Sequence, residues 1–300
     1  MSDESNQPKR MTLPMATPAG PTSQAPPDAV SRAIPGIKHI IAVGAGKGGV
    51  GKTTVSVNLA IALTRSGSRV GIIDADVYGP NVPMMLGISS QLESDGKKIV
   101  PAEKYGIRVV SMGFLADEKA PLIWRGPMLH GVVRQFVQDV RWGELDYLVV
   151  DMPPGTGDVA LSLSQTVPVS GAVVVTTPQK VSLADSRRAV AMYEKLNIPT
   201  LGIIENMSYY VCPGCEQEAD LFGKGGGVQI AEELNVPFLG QIPLCTPIRV
   251  GGDTGAPIVS VEPDSPGGQA FLQATERTVD QLSIASKKPL APLVAPPVNK

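Results

Sequence analysis

The sequence predicts an α/β fold, with one doubly wound, mainly parallel sheet covered by helices on both faces. Three observations predict it. Short apolar runs recur at residues 39–45, 69–74, 107–112, 146–151, 171–176, 200–204 and 237–240, and continuous apolar runs of this length read as buried parallel strands. Between them, residues 53–66, 127–140 and 183–196 carry helical patterns; in the second, Met128, Leu129, Val132, Val133, Phe136, Val137 and Val140 fall on one face. Strand and helix alternate along the chain, and that order builds a parallel sheet with helices above and below. No repeat of 20–50 residues is visible, so solenoids and propellers are excluded.

The 300 residues fit one α/β unit with tails. Hydrophobic residues make up 43% and aromatics 4%, so Val, Ile, Leu and Ala fill the core. Twenty-six basic residues against 28 acidic ones leave a net charge of −2, and nothing global draws the chain to nucleic acid or to an anionic membrane. Three cysteines, without an apolar run of signal-peptide or membrane-span length, point to a soluble cytoplasmic protein without a disulfide framework. Residues 1–36 hold seven prolines and no aromatic residue; they read as a flexible arm, since they cannot bury enough apolar surface to offset ordering entropy. Residues 285–300 repeat that composition with Pro289, Pro292, Pro296 and Pro297 and read as a second tail. The folded domain is expected at 37–284.

Gly46, Lys47, Gly48, Gly49, Val50, Gly51, Lys52 and Thr53 match G-x-x-x-x-G-K-[ST], after a strand and before a helix. Such a loop wraps its backbone N–H groups around phosphate, with Lys52 neutralising the β/γ-phosphates and Thr53 offering a hydroxyl to Mg²⁺. Thr54 completes the nucleotide-binding stretch. A phosphate-transferring site also needs carboxylates at the ends of neighbouring strands. Asp151 ends one and is assigned to the metal; Gly155, in the turn after it, is placed to sense the γ-phosphate. Asp74 and Asp76 follow another. Asp158 reads equally well as a turn former. The histidines, His39 and His130, read as structural, and Met84 and Met85 as core or interface.

Taken together, Gly46–Thr53 with its additional Lys47, the segment from Asp74 to Asn81, the segment from Asp151 to Asp158, Asn206-Met207-Ser208 and Cys212-Pro213-Gly214-Cys215 resemble the Mrp (ApbC-like) iron–sulfur cluster carrier ATPases. These belong to the deviant-Walker-A class of P-loop NTPases (SIMIBI type), with MinD, ParA and nitrogenase iron protein. The resemblance covers about residues 36–284; the extra N-terminal domain of many members is expected to be absent, with the Pro-rich arm in its place. It implies a homodimer in which Lys47 reaches the partner's nucleotide, with Asp76 orienting water, Asp151 serving Mg²⁺ and Asn206 meeting the adenine edge. Many relatives carry an Asp in the segment occupied here by Pro243-Leu244-Cys245.

The implied function is Mg²⁺-dependent ATP hydrolysis coupled to carrying an iron–sulfur cluster, [4Fe–4S] ahead of [2Fe–2S], to apoproteins alongside cluster-assembly proteins. The Pro-Gly turn points the Cys212 and Cys215 thiolates one way, and two thiolates make half of a four-ligand site. Two-fold symmetry supplies the other half. A bridged zinc and a redox dithiol stand as alternative readings of the pair. The alternative for the whole chain is a positioning switch of the MinD/ParA kind. That reading needs a membrane helix or a basic DNA-binding surface. A reductase like nitrogenase iron protein would carry widely separated cysteines.

Overall fold

The computed structural model describes residues 34–287 except 77–78, 90–92, 95, 97, 115–125, 158–167, 213 and 216, with the backbone alone for 126–130. Most of the arm and tail, together with Val77, Tyr78, Asp158, Pro213 and the His130 side chain, therefore lie outside the described residues.

The elements run β1 (Ile37–Gly44), α1 (Lys52–Arg65), β2 (Val70–Asp74), α2 (Val82–Leu86), β3 (Glu93–Ser94), β4 (Ile99–Val100), β5 (Ala102–Lys104), β6 (Ile107–Ser111), α3 (Gly126–Gln138) and β7 (Leu145–Asp151). They continue with β8 (Gly171–Thr176), α4 (Lys180–Lys195), β9 (Thr200–Glu205), β10 (Tyr210–Val211), β11 (Glu218–Ala219), α5 (Gly226–Glu233), β12 (Phe238–Gln241), α6 (Thr246–Thr254), α7 (Ile258–Val261) and α8 (Pro266–Lys287). The main sheet has the order β12-β9-β8-β1-β7-β2-β6-β5. Every neighbouring pair is parallel except β5 with β6.

Successive side chains on a strand point to opposite faces, and β1 shows how this divides the core. Ile40 and Ala42 join Phe136 and Val137 of α3, Val190 and Tyr193 of α4, and Ile230 of α5. Ile41 and Val43 join Leu59 and Leu63 of α1, Leu86 of α2, and Phe271 and Leu282 of α8. The sheet is thus buried on both faces, which is why its strands read as unbroken apolar runs. The C-terminal ends of the central strands β1, β7 and β2 open on one side, where the loops gather. β10 and β11 form a separate antiparallel ribbon outside the main sheet.

Candidate functional site

β1 ends at Gly44, and the loop that follows turns directly into α1. Gly51 caps α1 in the left-handed region, at φ 79°, and a Cβ there would lie 2.1 Å from the Asn206 Nδ2 atom. Only glycine satisfies both conditions. Gly46 is held as closely, since its Cβ would lie 2.1 Å from the Asp185 carbonyl oxygen. Asn206 secures the loop from the far side, donating from Nδ2 to the Val50 carbonyl at 2.9 Å.

Beneath the loop, Asp151 is fully buried at the end of β7. Its Oδ1 receives Lys52 Nζ at 2.8 Å and Ser56 Oγ at 2.6 Å, while its Oδ2 receives Thr53 Oγ1 at 2.8 Å. Lys52 is itself 7% exposed, so this is a buried ion pair whose remaining acceptor positions are filled by hydroxyls, the condition under which such a pair is tolerated. Thr53 and Asp151 present two hard oxygen ligands side by side, and that donor set fits Mg²⁺.

Asp74 stands opposite Asp151 in the β2–β7 register. Its Oδ1 accepts the Asp76 N–H at 3.2 Å, and its Oδ2 accepts the Val82 N–H at 3.1 Å and Ser111 Oγ at 2.9 Å. One carboxyl group therefore ties down both ends of the stretch that carries Asp76. Burial, and then the negative charge of Asp151, push the Asp74 carboxyl up to about 7. Asp76 is 8% exposed, accepts the Gly79 N–H at 3.2 Å and borders the cleft.

That cleft encloses about 490 Å³, a volume in the range of small-ligand sites. Lys47, Gly48, Lys52 and Thr53 line its phosphate end, and Asn206, Met207, Leu244, Cys245 and Ile248 line its other end. Met84 and Met85 border it as well, the first 54% exposed and the second buried. The Gly155 N–H, expected to sense phosphate, donates to the Ala45 carbonyl at 3.0 Å; sensing would require exchange of that bond.

The cysteine pair lies away from this cleft. Cys212 follows β10, and its N–H donates to the Gln217 carbonyl at 3.0 Å to close the ribbon. N–H groups of Gly214 and Cys215, together with the Cys215 side chain, hold the Cys212 thiol below its ordinary range. Cys215 is exposed. Among the described residues no three His, Cys, Asp or Glu side chains gather in a metal-holding group. Cys245, remote from the pair in sequence, borders the nucleotide cleft instead, where burial raises its thiol.

Residues 36–279 match the family model described as ParA: NUBPL iron-transfer P-loop NTPase. A protein of Synechocystis sp. called an iron–sulfur cluster carrier protein is 51% identical over 256 residues, spanning 83% of this chain and 72% of that one. A protein of the same name from Methanocaldococcus jannaschii is 49% identical over 250 residues, 82% and 86% of the two chains. The chain belongs to the iron–sulfur cluster carrier family of P-loop NTPases. Among solved structures, a nucleotide-binding protein from Archaeoglobus fulgidus in complex with ADP is 37% identical, with a TM-score of 0.68 over 79% of this chain and 92% of that one. The Pyrococcus furiosus cell division ATPase MinD shares the fold at 24% identity and a TM-score of 0.62, over 81% of this chain and 98% of that one.

For this member of the family, Lys47, Gly48, Gly49, Gly51, Lys52, Thr53 and Thr54 line one cleft with Asp76 and Asn206, and Asp151 lies behind it, bonded to Lys52 and Thr53; Gly46, Val50 and Gly155 do not line it. Sequence reasoning missed Ser56 and Ser111. Their signal was weak: a serine one turn into α1 and another ending β6 carry no motif, and only the packing of α1 on β7 and the β2–β6 register aim them at Asp151 and Asp74. Glu205 was missed too. It is fully buried at the end of β9, accepting from Ser208 Oγ at 2.5 Å, the Gly227 N–H and Gln241 Nε2, and so anchors the chain just before Asn206.

Proposed function

We propose that this chain is an ATP-hydrolysing carrier that holds an iron–sulfur cluster between two copies of itself and delivers it to apoproteins in the cytoplasm. One observation carries the reading: a cleft lined by the phosphate loop is followed, six residues beyond Asn206, by a cysteine pair at the surface, Cys212 half-buried and Cys215 exposed, that could supply two of four ligands to a metal site. Family membership supports the cargo. The cluster, [4Fe–4S] ahead of [2Fe–2S], is substrate to this protein, received from cluster-assembly proteins and passed on.

In the nucleotide site, Lys52 exchanges its bond to Asp151 for the β/γ-phosphates, and the loop N–H groups surround them. Mg²⁺, held by Thr53 and through water by Asp151, would supply charge neutralisation on the phosphates. Asp76 orients the attacking water, held at its post by Asp74 through the Asp76 N–H. Lys47, on the cleft wall, reaches the nucleotide of the second copy, and Asn206 turns its free amide oxygen to the adenine edge.

The test is anaerobic reconstitution with iron and sulfide, read by absorption in the charge-transfer region, for the wild type and Cys212→Ala. A brown wild type and a colourless variant are expected. A wild type that stays colourless and binds one zinc per dimer through four sulfurs would overturn the carrier reading and leave a nucleotide hydrolase.

A further inference from the structure

Eight large apolar side chains are exposed among the described residues, and three of them, Val211 at 43%, Leu221 at 57% and Phe222 at 40%, fall in the short stretch that holds the cysteine pair. The antiparallel ribbon brings Val211 level with a residue only three positions before Leu221. Val211 pairs in register with Glu218 across the ribbon. Lys224 Nζ reaches back to Glu218 Oε1 at 2.5 Å, tying the stretch after β11 to the ribbon, and Leu221 makes an isolated bridge with Gly223. A small ribbon with two-residue strands has no core of its own in which to hide these groups, and apolar side chains gathered on a surface mark a contact.

We propose that Val211, Leu221 and Phe222 form an apolar collar that a second copy of this chain covers when the two cysteine pairs meet, shutting water away from the cluster. The proposal rests on the reading of Cys212 and Cys215 as half of a cluster site. In an isologous contact the same patch faces itself, so a cluster held by two copies of the pair brings the residues flanking each pair against their counterparts. Val211 directly precedes Cys212 and is therefore among the residues brought to that contact. Thiolate-bound clusters are tuned and protected by the hydrophobicity and solvent access of their surroundings, and the collar supplies both. Three side chains from each copy bury far less than the roughly 1,200–2,000 Å² of a stable interface. The collar therefore does not hold a dimer without the cluster; it sets how long the cluster stays once bound.

The experiment uses the full chain, reconstituted anaerobically, and compares the wild type with Leu221→Ser/Phe222→Ser and with the milder Leu221→Ser, which changes a side chain more than half exposed. Five quantities are read: iron and sulfide per chain, the rate of iron loss to excess ferrous chelator under nitrogen, the dimer fraction against protein concentration, the ATP hydrolysis rate, and the rate of transfer to a four-cysteine apo-acceptor. The double variant is expected to take up as much iron and sulfide as the wild type, hydrolyse ATP at the apo wild-type rate, and lose iron about tenfold faster, with its dimer dissociating at about tenfold higher concentration. Leu221→Ile/Phe222→Leu should restore wild-type retention. Wild-type retention and dimerisation in both serine variants would overturn the collar. So would slower transfer to a four-cysteine apo-acceptor with retention and dimer unchanged, which would give the patch to the acceptor. A wild type that takes up no cluster would overturn the carrier reading and the collar together, and that outcome is visible before any variant is compared.

Discussion

The nucleotide cleft and the cysteine ribbon are built on opposite plans. Around Asp151, the donors Lys52 and Ser56 are buried and Thr53 half-buried, hydroxyls fill the spare acceptor positions, and the side chains issue from the ends of parallel strands and the first turn of α1. The ribbon has two-residue strands, an exposed Cys215 and apolar residues turned to solvent. Charge must be pre-organised where phosphate chemistry occurs, because polar groups that reorganise during the reaction give up their advantage. A cargo site must open to let its load leave. The contrast teaches that one fold can keep a stiff site and a labile one by building the first into the sheet and hanging the second outside it.

The largest effect that could break this comparison is loss of one site with no change in the other. Lys52→Ala is expected to lower ATP hydrolysis by about a hundredfold or more while leaving iron uptake intact, and Cys212→Ala is expected to abolish iron uptake with hydrolysis unchanged within about twofold. Parallel assays of phosphate release and bound iron decide it; joint loss in either variant would show the two sites to be one.

Within the cleft, Asp76→Asn should still bind ATP but hydrolyse it about a hundredfold more slowly. Equilibrium binding beside single-turnover rates would separate the two, and an unchanged rate would pass the water-orienting role to Asp74. Lys47→Ala should reduce turnover by about tenfold with affinity changed only a fewfold. Equal turnover of this variant and the wild type at saturating ATP would reject the cross-subunit assignment.

A smaller effect tests the buried plan through pH. The Asp74 carboxyl holds its proton to about pH 7 in the folded apo chain, whereas an unfolded aspartate releases it near pH 4. The unfolded state therefore loses this proton first, and stability falls as pH rises between those values. Denaturant titrations at pH 5 and pH 8 should show that fall in the wild type and a flatter dependence in Asp74→Asn.

The smallest effect concerns the thiols. Backbone donors lower Cys212 and burial raises Cys245, so at neutral pH an alkylating reagent should modify Cys212 first. Peptide mass spectrometry over time would show the order, and prior modification of Cys245 would contradict the assigned environments.

The buried plan is also the legible one. β8 spans the run 171–176 expected from its unbroken Val-Val-Val pattern, and β2, β6 and β9 lie within a residue of expectation, because strands covered on both faces must be apolar throughout. α4 starts at Lys180, ahead of the expected 183, since Lys180 and Val181 lie on its exposed side and add nothing to the apolar period. α8, with 22 residues the longest helix described, went unread: its glycines and threonines dilute the pattern even though Phe271, Ala274, Thr278 and Leu282 face the core. In the site, motif spacing revealed Lys52, Thr53 and Asp151. Ser111 and Glu205 were invisible because their roles depend on which strands become neighbours, a tertiary fact with no local signature.

Asn206 donates to the nucleotide loop, and a few residues later the same chain becomes the ribbon. Along the way Ser208 N–H binds the Ile242 carbonyl at 3.0 Å, and Leu244, on the cleft wall, donates its N–H to the Tyr209 carbonyl at 2.7 Å. The stem of the cysteine ribbon is thus stitched to the wall of the nucleotide cleft. Thermodynamics makes such stitching symmetrical: if ATP changes the hold on the cluster by some factor, the cluster changes the hold on ATP by the same factor. A loaded carrier would then announce its cargo through its nucleotide affinity, and an empty one would do the reverse.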